Sequence, residues 1–199
     1  MHRFYLTLAT LLVCALLFSA CTGKSPKADF YSLGAIHASG PAEALSREIT
    51  VAVGPVSIPA ELDRKQIVTR DAGNRVKLAE LHRWAGPLQD NITSVLTANL
   101  AALLETERVA PYDRENLFPF THHVVFSINR FDGWPTGEVL LDVTWSIKKS
   151  GVADPLIVQR SEIREPVATP NYAGLVAAQS KALAEISSRI ADAIKQLVQ

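Results

Sequence analysis

Hydrophobic and polar positions alternate most cleanly from Val139 to Lys148. Val139, Leu141, Val143, Trp145 and Ile147 fall on one face, and Asp142, Thr144 and Ser146 on the other. A period of two marks a strand with one buried and one wetted face. His123 to Phe131 repeats the pattern with Val124, Phe126 and Ile128, and Asp132-Gly133-Trp134-Pro135-Thr136-Gly137 reads as the turn that joins the two. In this reading the Asp and Gly of Arg130-Phe131-Asp132-Gly133 serve the turn. Shorter strands are expected at Phe30 to Leu33, Ile49 to Ile58, Gln66 to Arg70, Arg75 to Leu81 and Leu156 to Ile163. Gly54-Pro55 marks a bend or bulge inside the second of these. Asp71-Ala72-Gly73-Asn74 supplies turn formers between the third and fourth, and His37 to Leu45 reads as a loop.

The period changes at Pro87. Leu88, Ile92, Val95, Leu96, Asn99 and Leu103 recur at three- and four-residue spacing, which predicts an amphipathic helix with Pro87 in its first turn. Asn99 reads as a drift of the stripe, which Leu100 and Leu104 extend, rather than as a buried amide. A longer helix from Asn171 to Gln199 carries Leu175, Leu183, Ile186, Ile190, Ile194 and Leu197, with Ala178 and Ala182 filling the stripe and Gln179 at its edge. These elements predict a single α+β domain: a mainly antiparallel sheet with two main helices, about 87–104 and 171–199, packed on it.

The amino terminus has its own pattern. Met1-His2-Arg3 is basic, Phe4 to Phe18 carries no charge, and Leu17-Phe18-Ser19-Ala20-Cys21 ends in small residues before a cysteine. A basic start, an apolar run and a small-residue cleavage site make an export signal. A cysteine just after the cut makes it a lipobox, in which Cys21 is acylated. The apolar run is shorter than the roughly 20 residues that span a bilayer. A plain secretory signal or an uncleaved anchor are the alternatives. Phe18 stands where a lipobox more often has Leu, and Cys14 follows the bulky Val13, so Cys21 is the anchor residue. The expected organisation is a signal over 1–20, a lipidated Cys21 and polar tether over 21–29, and a domain over 30–199. Thr22, in place of an Asp, points to the periplasmic face of the outer membrane in a two-membrane host.

Charge and composition narrow the function classes. The chain has 20 Lys and Arg against 20 Asp and Glu, and cleavage removes Arg3 but no acid. The resulting domain is close to neutral, unlike a nucleic-acid binder with its basic stripe. Of the 2 cysteines only Cys21 survives cleavage, so the domain has no disulfide. Adjacent His122 and His123 would point to opposite faces of a strand. His37 stands alone and His82 lies beside Arg83-Trp84, and no pair has the spacing of a helical zinc site. Nucleophile elbows and phosphate-cradling glycine loops are absent. Asp63, Glu80, Asp132 and Asp142 are spread along the chain as solvated acids would be. The reading is of a binding or structural module rather than an enzyme, with no cofactor and no metal.

With these pieces in order, the chain resembles the ABC-type transport auxiliary lipoproteins of the PqiC/YmbA-type group. The resemblance is carried by Phe30-Tyr31-Ser32-Leu33, by Val53-Gly54-Pro55-Val56-Ser57-Ile58-Pro59, and by Leu62-Asp63-Arg64-Lys65-Gln66-Ile67-Val68-Thr69-Arg70. It continues through Leu78-Ala79-Glu80-Leu81-His82-Arg83-Trp84-Ala85, Pro87-Leu88, Asn91-Ile92 and Arg130-Phe131-Asp132-Gly133 before the Leu141 to Trp145 strand. Glu61 departs from the pattern, where an aromatic is frequent. The resemblance implies a non-enzymatic envelope lipoprotein serving an MCE-type (mammalian cell entry) lipid-transport system with inner-membrane components, and it leaves a homo-oligomer open. An envelope scaffold or assembly lipoprotein with no part in lipid movement is the alternative. Asp63, Arg64 and Trp84 are the candidate partner-binding residues, since Trp and Arg concentrate binding energy at interfaces. The competing readings are a core position for Trp84 and a local turn pair for Asp63 and Arg64.

Overall fold

The computed structural model describes residues 26–36, 49–71, 73, 75–114 and 117–197. Cys21, the export signal and the expected His37–Leu45 loop lie outside the described residues. The elements run β1 (Asp29–Tyr31), β2 (Val51–Ser57), β3 (Gln66–Arg70), β4 (Val76–Trp84), α1 (Leu88–Leu104), β5 (Val109–Pro111), β6 (His122–Gly133), β7 (Glu138–Lys149), β8 (Ile157–Pro166) and α2 (Tyr172–Leu197).

The expected α+β domain with two helices is present, but its strands form two mixed sheets rather than one mainly antiparallel one. A five-stranded sheet has the order β5-β2-β6-β7-β8, and a three-stranded sheet the order β1-β4-β3. Neighbours β6–β7, β7–β8 and β3–β4 are antiparallel, as adjacent alternating runs imply. β2 runs parallel to both β5 and β6, and β1 runs parallel to β4. The reason is chain path. After β2 the chain builds β3, β4 and α1 before returning to the large sheet, and a long crossover delivers a parallel neighbour. Gly54-Pro55 does interrupt a ladder, since the β2–β6 register shifts between Val53 and Val56.

Both helices cover one face of the five-stranded sheet. α1 packs on β2 and β5, α2 on β7 and β8, and the helices touch each other. The face they cover is the one expected: Val139, Leu141, Val143, Trp145 and Ile147 are all buried, as are Val124, Phe126 and Ile128. α1 contributes Ile92, Leu96 and Leu100, and α2 contributes Leu175, Leu183, Ile186 and Ile190.

Asn99 corrects the sequence reading. It is fully buried, its Oδ1 accepts the Ile36 N–H at 2.8 Å, and its amide nitrogen donates to Ser187 Oγ at 3.3 Å. A buried amide is tolerated where its polar atoms are satisfied. Here it ties the segment after β1 to both helices.

The Arg130-Phe131-Asp132-Gly133 motif is also relocated. It finishes β6 instead of forming the turn, and Asp132 is 1% exposed. Its Oδ2 accepts from Arg70 Nε and its Oδ1 from Arg130 Nε, each at 2.8 Å. Asp132 therefore clasps β3 of the small sheet to β6 of the large one. Gly133 is required at this place, because a Cβ there would collide with the Glu138 backbone.

Candidate functional site

The loop between β2 and β3 is built by tight backbone turns. Leu62 N–H donates to Pro59 O at 2.9 Å, Asp63 N–H to Ala60 O at 3.3 Å, and Arg64 N–H to Leu62 O at 2.8 Å. Leu62 is buried and pins the loop to the core, while Asp63, Arg64 and Lys65 are left exposed. Arg64 does bond locally, although its partner is the Glu61 carbonyl, which accepts from Nε at 2.7 Å, and not Asp63. One N–H is used in this way, and a guanidinium has five.

The end of β4 meets this loop, with the Trp84 N–H donating to Lys65 O at 2.7 Å. Trp84 itself is 4% exposed and belongs to the core. It nonetheless forms part of the wall of a cleft of about 360 Å³, together with Phe30, Asp63, Arg64, Pro87 and Leu88. The three candidate residues, separated by some twenty positions, are thus brought to one place.

Sequence reasoning missed Phe30 as part of this site. It assigned Phe30 only to a strand, yet the side chain is 65% exposed at the cleft. Alternation puts Phe30 opposite to Asp29 and Tyr31, but it does not say which face is open, and that depends on β1 being an edge strand of the small sheet. Lys65 on the same rim was passed over as well.

β1 is secured beside the cleft. It pairs Asp29 with His82, Phe30 with Arg83 and Tyr31 with Trp84, and the Ala85 N–H donates to Tyr31 O at 2.8 Å. The His82 ring stacks on Tyr172, the first residue of α2, with centroids 3.9 Å apart, and its Nδ1 lies 2.9 Å from the Tyr31 hydroxyl. Burial pushes the Tyr31 and Tyr172 hydroxyls above the ordinary tyrosine range. Leu33 N–H reaches Asn91 Oδ1 at 2.7 Å, so α1 also holds the strand's exit.

Several other polar groups are placed by their surroundings, although the buried Gln179 Oε1 has no hydrogen-bond partner among the described residues. Asp142, expected as a solvated acid, is instead buried on the outer face of β7; it accepts from Arg160 at 2.8 and 2.6 Å, and that guanidinium holds its carboxyl below the usual range. His122 is buried at the start of β6, and burial lowers its pKa from 6.5. Among the described residues no three His, Cys, Asp or Glu side chains gather as a metal site, and no helix is long and apolar enough to cross a membrane.

The cleft therefore offers an exposed phenyl ring, an indole edge and a rim of mixed charge, which is the chemistry of recognition. Comparison with known proteins gives the fold and the family. The chain superposes on a crystal structure of an uncharacterised protein with a TM-score of 0.70 at 20% identity, covering 85% of this chain and 99% of the other. A second, a DUF330-family protein from Xanthomonas campestris, gives a TM-score of 0.67 at 14% identity, covering 82% and 93%. No curated protein matches the sequence. The family profile for the ABC-type transport auxiliary lipoprotein component matches residues 31–191, which include β2 to β8, the β2–β3 loop, α1 and most of α2. The chain belongs to the ABC-type transport auxiliary lipoprotein family.

Proposed function

We propose that this chain is the lipid-anchored auxiliary component of an MCE-type intermembrane lipid-transport system, held by acyl chains on Cys21 at the periplasmic face of the outer membrane. Membership of the transport auxiliary family is the observation that carries the reading. Acylation supplies the rest of its physical logic. One acyl chain gives marginal membrane binding and two or more a firm hold.

In this reading the domain docks an MCE-domain protein, and through it the inner-membrane components, by the Phe30–Trp84 cleft. Asp63 and Arg64 set orientation on the rim. Phe30 lies nine positions after Cys21. At about 3.3–3.6 Å per residue, the cleft then sits within roughly 30 Å of the anchored cysteine. A partner arriving from the opposite membrane would meet it close to the lipid surface.

Photocrosslinking tests the assignment. A benzophenone amino acid in place of Phe30, and separately of Asp63, is expected to capture the MCE-domain protein in intact cells, whereas the same probe at Val158 on the exposed face of β8 is not. Capture of other envelope proteins from both cleft positions, with no MCE-domain protein among them, would favour the scaffold alternative and overturn this reading.

A further inference from the structure

β4 leaves large apolar side chains exposed although it is the middle strand of its sheet. Val76, Leu78 and Leu81 are 39%, 40% and 39% exposed. Single apolar residues on a surface are ordinary. Here three of the ten exposed large apolar side chains among the described residues fall within six consecutive positions. Val76 and Leu78 share one side of the strand by alternation. Leu81 joins them through a bulge. Gln66 pairs with Arg83 while the next residue, Ile67, pairs with Ala79, so β4 holds three extra residues there. Gln66 and Ile67 point opposite ways, and so do Arg83 and Ala79. Leu81, two positions before Arg83, therefore falls opposite the buried Ala79, on the side of Val76 and Leu78.

The direction of β1 says what lies against this stripe. β1 runs parallel to β4, with Asp29 beside His82. The chain thus enters β1 from the side on which β4 begins, the end that carries Val76 and Leu78. Val76 stands six positions before His82, about 20 Å along a strand. Cys21 stands eight positions before Asp29, a reach of at most roughly 30 Å. An acylated Cys21 therefore holds the start of β4 close to the bilayer. Trp84 and its cleft lie at the other end of the strand. Charge beside the stripe is mixed, since Arg75 is paired with Asp71 and Lys77 shares the strand with Glu80. Such a surface suits zwitterionic lipid. Three side chains are too few to hold a protein on a membrane alone. With the anchor in place the contact is intramolecular, and a weak one suffices.

We propose that Val76, Leu78 and Leu81 rest in the headgroup region of the phospholipid bilayer that holds the acyl chains, and so orient the domain with its Phe30–Trp84 cleft away from the membrane. The inference rests on the proposed anchoring through Cys21, and it adds a second membrane contact made by the folded domain itself.

The test uses the processed, acylated protein, whose one remaining cysteine is occupied, with a single added cysteine carrying the fluorophore NBD. The protein is reconstituted into phosphatidylcholine vesicles with a nitroxide near the head of the acyl chains. NBD on Leu78→Cys is expected to be quenched about twofold more strongly than NBD on Val158→Cys, at an exposed aliphatic position of β8. Combining Val76→Asp with Leu78→Asp is expected to bring quenching from Leu81→Cys down to the Val158→Cys level, while flotation with the vesicles persists. Thermal melts accompany each variant, and if the combined variant fails to fold, the comparison of Leu78→Cys with Val158→Cys decides. Equal quenching at those two positions, or undiminished quenching from Leu81→Cys in the folded combined variant, would overturn the proposal and leave the anchor reading standing. Failure of the unsubstituted protein to float would overturn both, so the two readings are told apart.

Discussion

Trp145 is fixed at both its apolar body and its polar tip. The ring is buried under the helices, and its Nε1–H donates to Ser161 Oγ across the β7–β8 ladder at 3.0 Å. Truncation removes the packing, opens a cavity and strands the serine, so Trp145→Ala is expected to cost about 3–5 kcal/mol, read as a lowered denaturation midpoint. Asp63 and Arg64 behave oppositely. Both are exposed, and Arg64 makes one bond to a carbonyl of its own loop. Replacing either by Ala is expected to change stability by less than about 1 kcal/mol, in line with exposed polar pairs. The same changes are expected to weaken binding to the MCE-domain partner by about 1 kcal/mol or more, the range that separates contributing contacts from bystanders. Titration of purified protein against the partner, with melts alongside, checks both halves; unaltered affinity in both variants would leave the loop as a turn only.

The β6–β7 hairpin carries a titratable group at its open end. His122 faces Lys149 across the ladder, has His123 beside it, and its Nδ1 lies 3.0 Å from Thr121 Oγ1. Burial first, then the charges of Lys149 and His123, favours the neutral ring and lowers the pKa from 6.5. The unfolded chain therefore takes up its proton at a higher pH than the fold does. The stabilisation is complete above about pH 6.5 and is lost as pH falls from there through the folded pKa. His122→Gln is expected to flatten the melting temperature over that window while leaving the acid loss that begins below about pH 4. There the unfolded chain's aspartates take up protons before Asp71 and Asp142, both lowered in the fold by their arginine partners. An unchanged slope in the variant would show that His122 is not its source. At this scale the sequence was most informative where the pattern was local. The faces of β7, the helix starting after Pro87 and the β3–β4 hairpin all follow from adjacent residues. Parallel pairing was not legible, because β1 joins β4 and β2 joins β5 across long intervening segments, and the three-residue β5 is too short to show a period. Asp132 misled because Asp-Gly is turn chemistry, and the buried carboxylate is made tolerable by the distant Arg70 together with Arg130. The cleft was half legible: Asp63, Arg64 and Trp84 were found, whereas Phe30 required knowing that β1 lies at the edge of a second sheet.

At the scale of the whole molecule, the proposed function gives attachment and recognition to different segments. In the proposed reading, membrane retention falls to the acyl chains on Cys21. Cys21→Ser is expected to shift the protein from the outer-membrane fraction to the soluble periplasm or to an uncleaved inner-membrane form, with loss of palmitate labelling. Undiminished outer-membrane recovery would place the anchor elsewhere. Such an arrangement also makes the domain a body on a leash. If a partner bridging the envelope pulls on it, tension enters at the amino end, and β1 is the first element in the load path. Only three residue pairs join β1 to β4. Behind them stand the bonds from Leu33 to Asn91, from Gly34 to Ser180 and from Ile36 to Asn99, each tying the same stretch to a helix. Under force the chain would yield there first, by peeling residues 29–36 while the large sheet stays whole. Roughly 3 nm of slack released in this way would take up a change in the distance between membranes, but it would carry Phe30 out of the cleft and so loosen the grip on the partner.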